Sequence, residues 1–406
     1  MDIPAPAELL DRVRSLPAGG PLLDRLGDRP GVHLVGGAVR DLLRGGSPSD
    51  LDLVVEGDPE ALITHLGGHA IRHERFGTST VRVNGFAYDI ARARQETYPR
   101  PGALPDVVSG TLQEDLRRRD FTVNAIAIAL GGPGAGTVNA AEHALEDLDQ
   151  TRLRILHDQS FQDDPTRLLR LARYHARLGF QVEEETARLA AAALAAGALE
   201  TVSGPRVGAE VRLLVAEEDP LAGLRSLHEL EVDRAMHPRL GLDDEELGRR
   251  ALSLLPGDGR RDRLVLGLAT REIPAAELWR LLDRLAFEAE DREAILLTAT
   301  RAQDTADALS GAERPSQIAQ AVQGLPAESV ALAGALGPAE AAEAWLADLR
   351  HIRLEIDGSD LLRSGVPEGP AIGRGLAAAL AAKLDGRVSG AQAELAAALE
   401  GSQETG

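Results

Sequence analysis

The chain of 406 residues is 44% hydrophobic and 27% charged, which suits a globular protein of two to four domains at roughly 150 residues each. No run approaches the roughly 18 apolar residues of a membrane span, and the lack of cysteine excludes disulfides and thiolate metal sites. A formal charge of −20, from 44 basic and 64 acidic residues, argues against a protein that coats nucleic acid by bulk electrostatics.

The acid is unevenly spread: residues 1–130 hold 15 basic and 18 acidic side chains, against 29 and 46 in the remainder. Only Lys383 among the basic residues is lysine, a bias of composition that also favours planar, bidentate phosphate contacts. The start, Met1 to Pro6, has neither a basic nor an apolar leader segment, so the cytoplasm is the expected compartment.

In chain order, Val32 to Val35 reads as a short strand ending at Gly36-Gly37, and Ala38 to Arg44 as a helix stopped by Gly45-Gly46. Leu51 to Val55 is the next strand. Thr80 to Val83 and Phe86 to Ala91 flank Asn84-Gly85, the dipeptide best suited to a type I′ turn, which predicts a hairpin. From Asp147 onward Ala, Leu, Arg and Glu recur at helical spacing, notably over 164–199, 205–216, 275–310 and 371–399. The fold class expected is α+β: an N-terminal mixed sheet with helices, then an all-helical remainder.

Four blocks carry chemistry. Asp50 and Asp52 stand two apart at a strand start, so both carboxylates face one way, with Cα atoms about 6.5–7 Å apart. Such a pair alone commonly marks only an exposed strand start. With Asp89 on the hairpin's return strand as a third carboxylate, it suits Mg²⁺, which takes oxygen ligands and keeps positions open for substrate phosphates. Gly36-Gly37 followed by Ala38-Val39-Arg40 forms a turn at a helix start where amide N–H groups face an anion and Arg40 can clamp it. The third block is Asp115 to Ala125, containing Arg119 and Asp120. In the fourth, Asp164, Arg167, Arg170 and Arg173 recur every three residues along a helix that Asp163 or Asp164 starts and Pro165 enters. That face is either solvated or able to hold a triphosphate and a base edge.

Gly36-Gly37-Ala38-Val39-Arg40-Asp41, Asp50-Leu51-Asp52, Arg118 to Ala125 and Asp163-Asp164-Pro165-Thr166-Arg167, in this order, resemble the signature of the class II tRNA nucleotidyltransferases (CCA-adding enzymes) and bacterial poly(A) polymerases. Ile356 to Leu361, Gly365 to Gly373 and Leu384-Asp385-Gly386 are similar to the family's tail, more loosely. The resemblance implies a nucleotidyltransferase head (1–135), a helical neck that recognises the base (136–205), a helical body (206–325) and an RNA-binding tail (326–406). Carried over by position, Asp50 and Asp52 would bind the catalytic Mg²⁺. Gly37 and Arg40 would contact the triphosphate, and Arg119 with Asp120 would help hold the nucleotide. Asp164 and Arg167 would read the base, while Arg170 and Arg173 would support nucleotide and phosphates. The chain departs from the family in having Asp163-Asp164 for Glu-Asp, and in replacing a glycine-containing hinge by Ala140 to Ala144, with Glu142 and His143.

The expected reaction is addition of C, A or both from CTP and ATP to the 3′ end of tRNA or another RNA. Asp164 would accept from the amine of C or A and Arg167 would donate to ring acceptors. CC-only or A-only addition and poly(A) synthesis are alternatives on the same fold, and a catalytically silent RNA-binding protein is a more distant one. Arg92 to Gly110, with Pro99, Pro101 and Pro105, corresponds to a region where a flexible loop often decides which step is possible. Arg170, Arg173 and Arg177 are expected to form part of a basic RNA track.

Overall fold

The structure is a computed structural model that describes residues 2–73 and 78–403. It divides into two units, residues 1–210 with 229–235 and residues 211–228 with 236–406.

In the first unit, helices α1 (Pro6–Ser15) and α2 (Gly19–Leu26) precede β1 (Val32–Val35), α3 (Gly37–Leu43), β2 (Leu51–Val55) and α4 (Pro59–Leu66). Strands β3 (His69–His73), β4 (Thr78–Val83) and β5 (Phe86–Arg92) follow, then β6 (Arg94–Thr97), β7 (Asp106–Ser109), α5 (Leu112–Arg117), β8 (Ile126–Ala129) and β9 (Val138–Ala140). Seven strands form one mixed sheet in the order β3-β4-β5-β2-β1-β8-β9. Only β2 and β5 run parallel within it; the other pairings are antiparallel. Val32, Leu34, Val35, Leu53, Val54, Ile90 and all of Ile126–Ala129 are buried, so the sheet interior is aliphatic and its polar residues collect where strands meet solvent. The expected hairpin is present, with Asn84 at φ 51° and Gly85 at φ 84°, the left-handed pair a type I′ turn requires. The sheet runs on through β9, past residue 135.

The chain continues as α6 (Ala144–Asp149), β10 (Arg152–Leu153), α7 (Ser160–Asp163), α8 (Thr166–Leu178), β11 (Gln181–Val182), α9 (Glu184–Ala195) and α10 (Gly204–Val215). The helical stretch expected over 164–199 is therefore interrupted: Gly179 adopts φ 65°, and Gln181-Val182 pairs in parallel with Arg152-Leu153. Buried Asp147 ties this region to the sheet end, accepting from Arg154 Nε at 2.9 Å and from Thr122 Oγ1 at 2.7 Å. His143 enters α6 at φ 63°, so the altered segment 140–144 keeps a left-handed residue that glycine would adopt at less cost. Within Arg92 to Gly110, β6 and β7 pair antiparallel and residues 98–105 connect them.

The second unit is helical among its described residues. The run expected over 275–310 breaks into Ala275–Arg284 and Ala289–Ser310, with Ala286 at φ 55°. One core gathers Leu309, Val322, Val330, Ala342 and Leu346, and another Ile356, Leu361, Ala379 and Ala398. Helices Pro370–Leu384 and Ala391–Gln403 approach closely. A Cβ at Gly401 would lie 2.3 Å from that of Ala378, so the small residues there are packing requirements. The tail motifs have structural work: Asp357 accepts from Ser359 N at the start of Gly358–Arg363, and Asp385 accepts from Ser316 N and Oγ.

Candidate active site

Strand alternation sets the acidic face. Leu51, Leu53 and Val55 are buried while Asp52 is exposed, and Asp50, two residues earlier, shares its side. The parallel β2–β5 register sets Asp52 beside Asp89, and the β4–β5 register sets Thr80 beside Asp89. Thr80, Asp89 and Asp52 thus form a row across three strands, and Thr80 Oγ1 donates to Asp89 Oδ1 at 2.6 Å. The Asp52 carboxylate reaches solvent but protein atoms surround much of it. That desolvation, then the charges of Asp89 and Asp50, push its pKa above the usual carboxylate range against the opposing pull of Arg119.

A divalent cation answers this arrangement, because it would neutralise like charges that the protein leaves facing one another, and carboxylate oxygens are the donors a hard cation takes. Among the described residues, no group of three or more His, Asp or Glu converges closely enough to hold a metal alone. Asp89 therefore does not close a three-carboxylate cage with Asp50 and Asp52. The face offers an open site, with positions left for substrate oxygens.

Beside it lies a cleft of about 510 Å³ lined by residues that include Gly37, Arg40, Asp50, Asp52, Tyr174 and Arg177. Gly36 makes the turn from β1 into α3 at φ 72°; a side chain there would be strained, and its Cβ would sit 3.1 Å from Arg119 Nη1. Arg40 is 2% exposed and held by Asp41, through Nε at 2.8 Å and Nη2 at 3.0 Å, and by Asn124 Oδ1 at 2.8 Å. It reaches the cleft wall as an anchored group. Arg119 donates to Asp115 Oδ2 at 2.9 Å, and its side chain joins Asp52, Asp89 and Thr80 in lining a second cleft of about 340 Å³.

The helix α8 is less solvent-facing than its charge suggests. Asp164 lies just before it, where its Oδ1 accepts from Thr166 N at 3.1 Å and Thr166 Oγ1 at 2.6 Å and meets Arg206 Nη2 at 2.8 Å. Arg167 does not pair with Asp164. It is buried, donating from Nη1 to Ser160 Oγ at 2.5 Å and from Nη2 to the Arg118 carbonyl at 2.7 Å. Arg170 bonds Asp120 Oδ2 through Nε at 2.9 Å and Nη2 at 2.5 Å, and Glu210 Oε1 through Nη1 at 3.1 Å. Arg173, also buried, meets Glu210 Oε2 at 3.4 Å.

Burial alone would raise the Asp120 carboxyl. The Arg170 charge and the hydrogen bonds from Asn124 and Arg170 outweigh it and hold the group down to about 2. The expected RNA track is corrected on this point: Arg170 and Arg173 are turned inward and committed to acids. Tyr174 fills the space among them, its ring centroid 5.0 Å from the Arg173 guanidinium carbon and 5.8 Å from that of Arg40, with Phe121 edge-on at 5.8 Å.

Residues 32–154 match the Poly A polymerase head domain. Over 410 aligned residues the chain is 31% identical to the "Multifunctional CCA protein" of Xanthomonas campestris pv. campestris, covering 86% of this chain and 96% of that one. The chain belongs to the class II tRNA nucleotidyltransferase family. A solved "CCA-adding enzyme" in an apo form superposes with a TM-score of 0.83 at 30% identity, covering 98% of this chain and all of its own. The "A-adding tRNA nucleotidyltransferase" of Halalkalibacterium halodurans is 43% identical over 227 residues, 53% of each chain. The chain spans about half the length of such A-adding relatives.

For a nucleotidyltransferase of this family, the sequence motifs located the acidic pair and the glycine turn and contained Asn124 without giving it a role, but missed Thr80, Tyr174, Arg206 and Glu210. Thr80 meets Asp89 across the predicted hairpin, and the others are placed by contact with residues far away in the chain. Arg206 had one local signal, its position just inside a helix opened by Gly204-Pro205, which reads only as a domain joint.

Proposed function

We propose that this protein is a template-independent nucleotidyltransferase that adds C, A or both from CTP and ATP to the 3′ end of tRNA. The observation that carries the reading is the Asp50–Asp52 pair opening onto the same cleft as Gly37 and Arg40, with Asp89 beside Asp52 on the neighbouring strand. In this reading the 3′ hydroxyl attacks the α-phosphorus and pyrophosphate leaves. Asp50 and Asp52 would hold a divalent cation, Mg²⁺ by the donor chemistry, which would supply acidification of the hydroxyl and neutralisation of the leaving oxygens. Asp89, oriented by Thr80, stands beside Asp52 to receive the proton. The amide groups of the Gly37 turn and the anchored Arg40 orient the triphosphate without reorganising.

Base choice falls to Asp164 and Arg167. Asp164 accepts from the exocyclic amine of C or A and repels the carbonyl that uracil presents instead. The two hydrogen bonds of Arg167 occupy two of its five N–H groups, leaving donors for a ring acceptor. The division into head 1–135, neck 136–205, body 206–325 and tail 326–406 belongs to the same proposal, as does the cytoplasm, where a tRNA substrate is found. Narrower activities are the alternatives, A-only or CC-only addition: an A-adding relative is 43% identical over 227 residues and a CC-adding relative 42% over 208.

The test is incubation with tRNA transcripts ending at the discriminator base, at C or at CC, with each NTP separately. Extension of all three by the complementary set of CTP and ATP supports full CCA addition; extension of the CC transcript alone, by ATP, supports A-only addition. Failure to extend any of them overturns the reading.

A further inference from the structure

The carboxylate of Asp164 is not left to itself. Three donors fall on its Oδ1: Thr166 N, Thr166 Oγ1 and the guanidinium of Arg206 at 2.8 Å. They fix the plane of the group and leave Oδ2 as the oxygen that can accept from a ligand. Thr166 is local, two residues away at the first position of α8. Arg206 comes from α10, and its other arm goes elsewhere: Nη1 donates at 3.0 Å to the carbonyl of Gly102, in the turn that joins β6 to β7.

That turn is seated firmly. Gly102 N donates at 3.1 Å to the carbonyl of Gln162, two residues before Asp164. Gly102 itself sits at φ 68°, where a Cβ would fall 2.4 Å from Thr201 Oγ1, so only glycine fits. One guanidinium therefore spans two elements, an acid just ahead of α8 and the turn of the β6–β7 hairpin, at 24% exposure of its own side chain. A planar fork can hold both at once; an ammonium, a point charge, cannot hold them with the same geometry.

We propose that Arg206 is a specificity-determining residue. It sets which oxygen of Asp164 is presented to the incoming base, and it makes that presentation depend on the seating of the β6–β7 hairpin. The inference rests on the base-reading role proposed for Asp164. Arg206 touches neither base nor phosphate in this account; it is a positioning residue. Its replacement should alter the preference among nucleotides and not merely the rate. Losing the clamp leaves Thr166 alone to hold Oδ1, so the plane of the carboxylate is less fixed and the penalty for uracil falls.

The experiment is single-nucleotide incorporation on the tRNA transcript the wild type extends, with CTP, ATP, UTP and GTP, for wild type, Asp164→Ala, Arg206→Gln and Arg206→Lys. Ratios of incorporation between nucleotides do not depend on the fraction of protein that folds. Arg206→Gln should reduce the preference for the accepted nucleotide over UTP about threefold to tenfold, a fraction of what one bidentate base contact provides. Arg206→Lys, which retains the charge beside Asp164, should recover part of it. A relaxed Asp164→Ala beside an Arg206→Gln that slows all four nucleotides equally overturns this inference alone. Unchanged preference in Asp164→Ala overturns the base-reading role and the inference with it. Should Arg206→Gln give no active protein, wild-type preference in Arg206→Lys with the Gly102 contact weakened would overturn the coupling to the hairpin.

Discussion

On the sheet face, Asp50, Asp52 and Asp89 stand as neighbours with like charge, and the Asp52 carboxyl is pushed up by its surroundings. On α8, Arg170 and Arg173 end on Asp120 and Glu210, and the carboxyl of Asp120 is held down. Both regions look alike in sequence, as short periodic runs of charge. One leaves its charge uncompensated at a cleft, where a ligand must supply the balance. The other is balanced internally and packs against Tyr174, whose side chain lines the larger cleft. Compensation, more than the presence of charge, separates a binding group from a supporting one.

Removing a member of the uncompensated face should cost chemistry. Asp52→Asn is expected to reduce nucleotide transfer about a thousandfold or more, because cation stabilisation of the developing charge is worth several kcal/mol. Initial rates with saturating CTP or ATP check this, and transfer within tenfold of wild type would erase the contrast between the two regions.

Removing a member of the compensated pair should cost stability instead. Asp120→Ala takes the bidentate partner from Arg170 and leaves it Glu210, a loss of up to ~3–5 kcal/mol that urea unfolding would read. The pH dependence sharpens the point. Folding lowers the Asp120 pKa from 3.8 to about 2, so its contribution is present above the unfolded value and is lost as pH falls through the folded one. Wild type should therefore lose more stability than Asp120→Asn between roughly pH 4 and pH 2; parallel curves would show that the pair is not the source.

How far the sequence could be read follows the same division. Local chemistry was legible: Asn84-Gly85 announced its hairpin, and Leu51 to Val55 its strand with Asp52 turned the other way. The glycine turn was legible because Gly36 needs a backbone conformation that other residues resist. The direction faced by Arg170 and Arg173 was not. A spacing of three places them along one helix side, but only Asp120 and Glu210, 50 and 40 residues from Arg170, decide that this side is interior. The β6–β7 hairpin was hidden by its prolines, and β10 and β11 by their two-residue length. Arg206 was hidden because its partners, Gly102 and Asp164, lie in other elements.

The smallest effect expected concerns RNA. An arginine already committed to Glu210 contributes little to counterion release, so Arg173→Gln should leave the slope of log affinity against log salt for tRNA binding unchanged. A fall in magnitude of about 0.7–0.9, the amount one phosphate contact provides, would place Arg173 at the RNA after all.

The central claim, that the sheet face holds like charges awaiting a cation, is tested most directly by thermal unfolding of wild type and Asp52→Asn at neutral pH with and without Mg²⁺. A carboxyl whose pKa is raised on folding opposes stability above that pKa and does not below its unfolded value. Asp52→Asn should therefore melt higher than wild type without Mg²⁺, and Mg²⁺ should raise the wild type while leaving the variant nearly unmoved. A variant that melts lower than wild type, or that gains as much from Mg²⁺, would contradict the account.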